Sequence, residues 1–384
     1  NIDVALAWSA RKDPLLALTI VNGFGWAWVV LGDSRGTDRI VTALTAAGES
    51  VPARERAAAL LLAGWMQASA GALDVAREQI DAAMAIADAI DDIDLQARSC
   101  SFLAYVVCHD GEFREGLALT DRSAALYARL DRPWDQAANW LFAARAAISA
   151  GDQQRSVESF AQIDRWLAVV DDPWLHVRAE AMRGELARVQ HRFDDAVMHL
   201  ARAAAVSHRL GFLQTEAYQV ASLGRALCQA GDYDTGAATL QLAIDKAEAT
   251  GDARMATLAR VHLGRVLRAL GRRSEARAAL EAAAAWHRRA GGGEQAPLGE
   301  CLLAAIDAAD GVDGAHDRLL EVLAVARVRG EAHVEVFALD ALGRMADESG
   351  ELDAARALWA DADVRMSAAS HFITERDRTD AALR

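Results

Sequence analysis

Apolar residues recur along this chain with a helical period, in segments of roughly 17 residues separated by short polar breaks. From Leu213 to Gln229, for example, Ala217, Val220, Ala221, Gly224 and Leu227 share one face, with polar residues between. The breaks form two interleaved series. One contains Gly32-Asp33, Gly71-Ala72-Leu73, Gly111-Glu112-Phe113, Gly151-Asp152, His191-Arg192-Phe193, Gly231-Asp232-Tyr233, Gly271-Arg272, Gly311-Val312 and Gly350-Glu351-Leu352, at steps of 39 or 40 residues. The other falls about halfway between, at Asp91-Asp92, Asp131, Asp171-Asp172, Gly211, Gly251, Gly291 and Gly330. Each 40-residue unit is therefore two helices and two turns, and about nine units fill the chain. Pro14, Pro133 and Pro173 stand 18 residues before their turns, where the first turn of a helix tolerates a missing N–H.

Alignment on the turns exposes two columns of small residues. Seven positions before the turn stand Gly25, Gly64, Ala104, Ala144, Gly184, Gly224, Gly264, Ala304 and Gly343; five after it stand Ala76, Gly116, Ser156, Ala196, Gly236 and Ala276. Small side chains at fixed places on both helices let the axes approach closely. The neighbouring column (Phe24, Leu103, Leu223, Leu263, Leu303, Leu342) is expected to fill the space between hairpins. One hairpin cannot bury such faces, but stacked hairpins can.

These residues resemble the tetratricopeptide (TPR) repeat: a Leu-Gly pair, a turn Gly with an acidic residue and an aromatic, and a later small residue, as in Leu223-Gly224, Gly231-Asp232-Tyr233 and Gly236. The unit is 40 residues, against about 34 in the family, and the family's terminal proline is mostly absent. Longer units of this kind are similar to those of bacterial, actinobacterial-like signal-transduction ATPases and LuxR- or SARP-type transcription regulators. The opening segment, with Ala5-Leu6-Ala7-Trp8 and Trp26-Ala27-Trp28, is similar to where such arrays begin after an ATPase module.

The resemblance implies an all-α, open right-handed α-solenoid over residues 1–384. Residues 1–50 would form a capping repeat joined to an upstream module, and 360–384 a capping helix. Any ATP would be bound upstream and DNA by a separate helix-turn-helix, with this array as sensor. Repeat eight is the least regular: Pro297 falls inside its first helix and Gly291-Gly292-Gly293 precedes it, so a kink or a loosened junction is expected there. After Trp359 the pattern fades into the mixed charges of Thr374-Glu375-Arg376-Asp377-Arg378.

Composition narrows the chemistry. The 384 residues are 53% hydrophobic but only 6% aromatic, with five prolines, so Ala and Leu supply most of the apolar content and favour packed helices. A net charge of −14 argues against binding a nucleic-acid backbone. No run reaches the roughly 20 apolar residues of a membrane span, and Asn1 opens no signal peptide, which reads as a cytoplasmic protein.

A phosphate-binding loop is missing, and Gly291-Gly292-Gly293-Glu294 reads as an inter-repeat turn. Cys100, Cys108, Cys228 and Cys301 lack paired metal spacing; the last three align with the groove face and are expected to be reduced. His191 and His199 do not form a zinc pair, and Asp91-Asp92, Asp171-Asp172 and Asp194-Asp195 are better read as helix caps than as glycosidase carboxylates. No nucleophile, metal site or cofactor site is proposed, and the chain reads as non-catalytic.

In TPR proteins the first helices line the concave surface. The matching column, six before the turn, contains Trp26, Trp65, Tyr105, Arg145, Glu185, Arg225, Arg265, Ala305 and Arg344; one turn later stand Cys108, Arg188, Cys228 and Arg268, among others. The candidate site is Arg145, Arg188, Arg225, Arg265 and Arg268, with Arg178 at its edge and Glu185, Trp65 and Tyr105 alongside. Arginine suits a carboxylate or phosphate, so one reading is an anionic effector or an acidic protein segment held in the groove. The other is that these arginines pair with Glu180, Glu185 and neighbouring acids. Trp26, Trp28 and Trp65 either bind a ligand or, the favoured reading, cap the first repeats against an upstream domain. An uncovered terminal hairpin also offers a face to a second copy of the chain.

Three functions fit: the sensor of an ATPase-coupled transcription regulator, a freestanding scaffold for acidic peptides, and an α/α-barrel enzyme.

Overall fold

The computed structural model describes residues 2–31, 33, 35–48, 50–290 and 295–369. Gly32, the Gly291–Glu294 turn, the Thr374–Arg378 segment and most of the expected 360–384 cap lie outside the described residues. Among the described residues there are nineteen helices and no strand. They are α1 (Ile2–Lys12), α2 (Pro14–Leu31), α3 (Gly36–Ala47), α4 (Ala53–Ala70), α5 (Leu73–Ala89), α6 (Ile93–His109), α7 (Phe113–Tyr127), α8 (Pro133–Ala150), α9 (Gln153–Leu167) and α10 (Pro173–Val189). The series continues with α11 (Phe193–Leu210), α12 (Leu213–Ala230), α13 (Tyr233–Ala249), α14 (Ala253–Ala269), α15 (Arg273–Ala290), α16 (Ala296–Ala309), α17 (Ala315–Arg329), α18 (Ala332–Glu348) and α19 (Leu352–Ala369). This is the all-α, TPR-like tandem of helical hairpins that the 40-residue period predicts.

The turn residues end one helix and start the next. Gly71 (φ 91°) closes α4 and Gly151 (φ 71°) closes α8 in the left-handed region, which a side chain makes costly. His191 holds the same conformation (φ 59°) without being glycine. Acidic residues then cap: the Leu95 N–H donates to Asp92 Oδ1 at 3.0 Å and the Leu175 N–H to Asp172 Oδ1 at 2.9 Å. Asp194 and Asp195 differ, lying inside the first turn of α11, where Asp195 pairs with Arg192. Pro297 does not kink its helix. It is the second residue of α16, which starts late and runs only 14 residues, so its missing N–H falls among those that need no helical partner.

The small columns act as expected inside the hairpins. A β-carbon on Gly64 would lie 2.6 Å from Ile80 Cγ1, and one on Gly264 2.5 Å from Leu280 Cγ. Each glycine is the seat for a fully buried residue of the partner helix. Gly116 and Gly236 receive the sulfurs of Cys108 and Cys228 in the same way. Leu103, Leu263, Leu303 and Leu342 are buried, but Phe24 is 53% exposed, because α2 has only the short α1 before it.

The chain divides into two compact units, one of Asn1–Leu186, His199–Gln219 and Lys246–Met255, the other of Ala187–Met198, Val220–Asp245 and Ala256–Arg384. In the first, successive repeats are tied by Arg54, which donates to Asp92 and Asp94, 38 and 40 residues on. Helix α1 is tied down by the buried Arg39, which bonds Asp3 and Asp33 at 2.7 Å each. In the second, Arg277 and Arg318 both donate to the buried Asp307.

Helix α2 corrects one expectation. Its 18 residues carry no charge and are long and apolar enough, by length and composition, to cross a membrane. In this fold it is the first helix of a hairpin, packed on α3 and α4 with Leu18, Val21, Gly25, Trp28 and Val29 buried.

Candidate functional site

The first helices of successive repeats in the first unit present a continuous aromatic cluster. Trp26 sits edge-on to Trp65, Trp134 and Trp174, with centroids 5.3 to 5.6 Å apart, and Trp65 stacks on Tyr105 at 3.9 Å. Trp28 is buried beneath the Arg39 guanidinium, 5.0 Å from its ring. Within their own unit Trp28 and Trp65 are buried and Trp26 is half-buried. The exposed apolar residues near the N-terminal end are instead Val4, Trp8, Leu15 and Phe24.

Against this cluster lies a recess of about 50 Å³, lined by Trp65, Tyr105, His109, Arg145, Trp174, Arg178, Tyr218, Arg254 and five neighbours. Helical geometry sets its composition. Trp174 and Arg178 are four apart on α10, and Gln214 and Tyr218 four apart on α12, so each pair shares a face. The Arg178 guanidinium lies 5.8 Å from the Trp174 ring and 5.3 Å from the Tyr218 ring, within cation–π range of both. Burial and the neighbouring Arg145 and Arg254 hold its pKa below the ordinary arginine value, although the two tyrosines oppose this.

His109 joins the other two arginines. Arg145 Nη2 donates to its Nδ1 at 3.2 Å and Arg254 Nη1 at 3.4 Å. Since arginine can only donate, Nδ1 must accept, and the ring proton sits on Nε2. Burial, then Arg254, Arg145 and Arg178, push the histidine pKa well below its ordinary value, so it is neutral.

The hydrogen-bond account of the recess is one-sided. Four buried donors on its walls find no protein acceptor: Trp65 Nε1–H, His109 Nε2–H, Arg178 Nε–H and Arg254 Nε–H. Its one carboxylate, Asp252, is already engaged, capping α14 through the Met255 N–H at 2.8 Å and accepting from Gln214 at 3.3 Å. Glu180, expected to neutralise the groove arginines, instead faces His199, Arg183 and Arg202. Each buried donor left unsatisfied costs on the order of 1–3 kcal/mol. Donors of both cationic and neutral kind, on residues that line one small space, suit a carboxylate or phosphate oxygen.

A second cavity of about 250 Å³ adjoins the recess and shares Val29, Trp65, Gln214 and Asp252 with it; its other walls include Trp28, Met66 and Ala70. A third, of about 370 Å³, is lined by Trp26, Phe102, Trp134 and Phe142, with Arg98 6.0 Å from the Phe102 ring.

The expected row of arginines falls into two places. Arg145 belongs to the first unit, with Trp65 and Tyr105. Arg188, Arg225, Arg265 and Arg268 belong to the second. There, Arg188 donates to Gln229 Oε1 at 3.1 Å. Burial, followed by Arg225, Arg265 and Arg188, drives the His262 pKa well down. Arg268 is pushed down to about 10, by burial first and then by Arg344. Glu185, 5% exposed, belongs to the first unit but does not line the recess. Cys108 and Cys228 point into hairpin interiors rather than into a groove, and all four cysteines are buried. Among the described residues, no group of three or more His, Cys, Asp or Glu side chains is placed to hold a metal ion.

No family model matches the sequence, nor does any curated protein. Among solved structures, the Rap conjugation gene regulator of the plasmid pLS20, in complex with a Phr peptide, aligns with a TM-score of 0.60 at 11% identity, over 94% of this chain and 98% of that one. A Rap protein complexed with competence and sporulation factor gives 0.55 at 14% identity, over 85% and 96%. A signal transduction ATPase with numerous domains (STAND) and a tetratricopeptide repeat sensor, from Pyrococcus horikoshii, gives 0.51 at 12% identity, over 86% of this chain and 52% of that one. At such identities the likeness is one of fold, and the fold is the TPR-like helical repeat.

Proposed function

We propose that this chain is a non-catalytic sensor and interaction module, which takes an anionic effector, or the acidic end of a protein partner, into the Arg178–Arg254 recess of its first unit. The observation that carries this reading is the set of four buried donors without a protein acceptor. An oxyanion bonded there would remove much of their desolvation cost, and that gain is available only to a conformation that keeps the recess assembled. Binding would thereby bias whatever switch the array is coupled to.

The sensor of an ATPase-coupled regulator is the reading supported by the longer repeat and by the STAND likeness, in which the chain spans about half of the other protein. ATP and DNA would then be handled by other modules. A freestanding regulator is supported by the Rap likeness, which spans nearly the whole of those chains and, in the structures named, includes a bound peptide or factor. Both readings use the same recess. The four reduced, buried cysteines suit a cytoplasmic setting.

The test is calorimetric titration of inorganic phosphate, citrate, acetate and octanoate into the wild type and into the Arg178→Ala/Arg254→Ala variant. Binding of at least one anion that the double substitution abolishes is the expected result. Equal binding by both proteins, or none of the four by the wild type, contradicts it.

A further inference from the structure

The recess and its 250 Å³ neighbour make opposite demands on a ligand. In the recess every unsatisfied group is a donor. In the adjoining cavity three polar side chains are already engaged within the protein: Ser69 Oγ lies 3.4 Å from the Tyr105 hydroxyl, Thr250 Oγ1 donates to the Ala247 carbonyl at 3.0 Å, and Asp252 holds the two bonds described above. Its apolar wall is formed by Trp28, Val29, Trp65, Met66 and Ala70, which favour apolar contact. Charge adds a further constraint. Among the described residues no Arg, Lys or His lines this cavity, so a second negative charge placed there would find no basic partner on its wall.

We infer that the ligand is a two-part molecule, a compact monocarboxylate head joined to an unbranched or aromatic apolar body, with the head in the arginine recess and the body in the adjoining cavity. This rests on the recess being an anion site and goes beyond it by assigning the ligand class. The head is small because the recess has room for little more than a carboxylate. Its planar, two-oxygen face suits the guanidinium held between the Trp174 and Tyr218 rings. Polyanions such as nucleotides or citrate are disfavoured because no basic side chain among the described residues lines the adjoining cavity. Two sources carry this chemistry: a free organic acid, and the C-terminal carboxylate of a peptide that ends in an apolar residue.

The test titrates acetate, butanoate, hexanoate and octanoate, with 1-octanol and inorganic phosphate as controls, into the full chain. Affinity should climb along the acid series, with octanoate at least about tenfold tighter than acetate, as burying successive methylenes requires. Octanol should bind at least about tenfold more weakly than octanoate, because it lacks the charge. Ala70→Phe, at the exposed end of α4, should remove the octanoate advantage while leaving acetate unchanged. Arg178→Met should weaken the whole acid series.

Phosphate or acetate binding as tightly as octanoate would overturn the two-part ligand while leaving the anion site standing. Octanol binding as tightly as octanoate would also overturn it. Absence of binding by every anion would remove both. A tripeptide ending in free-acid leucine and its amide separate the sources. An acid form tighter than octanoate assigns the head to a peptide end, a weaker one to a small organic acid, and either agrees with the inference. An amide that binds as tightly as the acid contradicts it.

Discussion

The two units bury arginine in different company. In the first, Arg178 lies between two aromatic rings and Arg254 donates to a histidine, and the groups left over in the recess are all donors. In the second, Arg268 and Arg344 share their surroundings with the buried Asp340, and His262 keeps both ring nitrogens without a hydrogen bond. A neutral imidazole has one donor and one acceptor, so that remainder is mixed. Mixed groups suit water or a neutral polar molecule. A surplus made only of donors is relieved by an anion. Counting arginines along the sequence hides this difference; counting what each one leaves unsatisfied exposes it.

Acid should press on both regions at once, and hardest where histidines are most numerous. His109 in the first unit and His262 and His333 in the second have folded-state pKa values lowered by burial, His333 to about 3, against an unfolded value near 6.5. Well above pH 6.5 all three are neutral folded or unfolded, and contribute little pH dependence. Below it the unfolded chain takes up protons that the folded chain refuses, so stability falls as pH falls. Between pH 7 and 5 the loss from His333 is about 2 kcal/mol. His109 and His262 add to it in the same direction, and the total is measurable by urea denaturation at several pH values. His333→Phe should remove about 2 kcal/mol of that loss; a slope that stays the same would contradict the burial argument.

The binding comparison comes next in size. Arg178→Ala/Arg254→Ala should weaken carboxylate binding about hundredfold, some 3 kcal/mol, while Arg225→Ala/Arg265→Ala should leave it within about twofold. The reverse pattern in calorimetry would move the site to the second unit. Hairpin packing, in contrast, should treat the units alike. Gly64→Val and Gly264→Val each force a side chain against a fully buried partner, and each should cost about 1–3 kcal/mol by thermal denaturation. The smallest change is a gain: His191→Gly relieves a left-handed backbone and should add about 0.5–1 kcal/mol.

The repeat was open to reading because its period, turn glycines and small columns are local features that each unit restates. Gly64 against Ile80 and Gly264 against Leu280 are the contacts those columns imply. The recess was legible only in part. Trp65, Tyr105 and Arg145 stand six before their turns, but Arg178 and Tyr218 stand thirteen before, and Trp174, Gln214 and Arg254 seventeen before. These positions extend the same helical face by spacings of four and seven, so the stripe was readable had it been followed toward the helix N-termini. His109 lies two before its turn, beside Cys108, which turns into the hairpin. That one-residue distinction depends on helix rotation. Which repeats bring their faces together depends on small angles between hairpins, and no local pattern encodes those. Helix α2 is the opposite case: its composition alone permits a membrane span, and only its packing on α3 and α4 shows another use.

The most direct test is the ligand-free stability of Arg178→Met, which keeps an unbranched apolar stem between Trp174 and Tyr218 but removes a guanidinium whose buried Nε–H has no acceptor. If the recess is shaped for an anion at the expense of the free protein, the variant should unfold at a higher temperature than the wild type, by a gain of about 1–3 kcal/mol, and should no longer bind octanoate. A variant that loses stability by a similar amount, with carboxylate binding unchanged, would make Arg178 a structural residue and contradict the account.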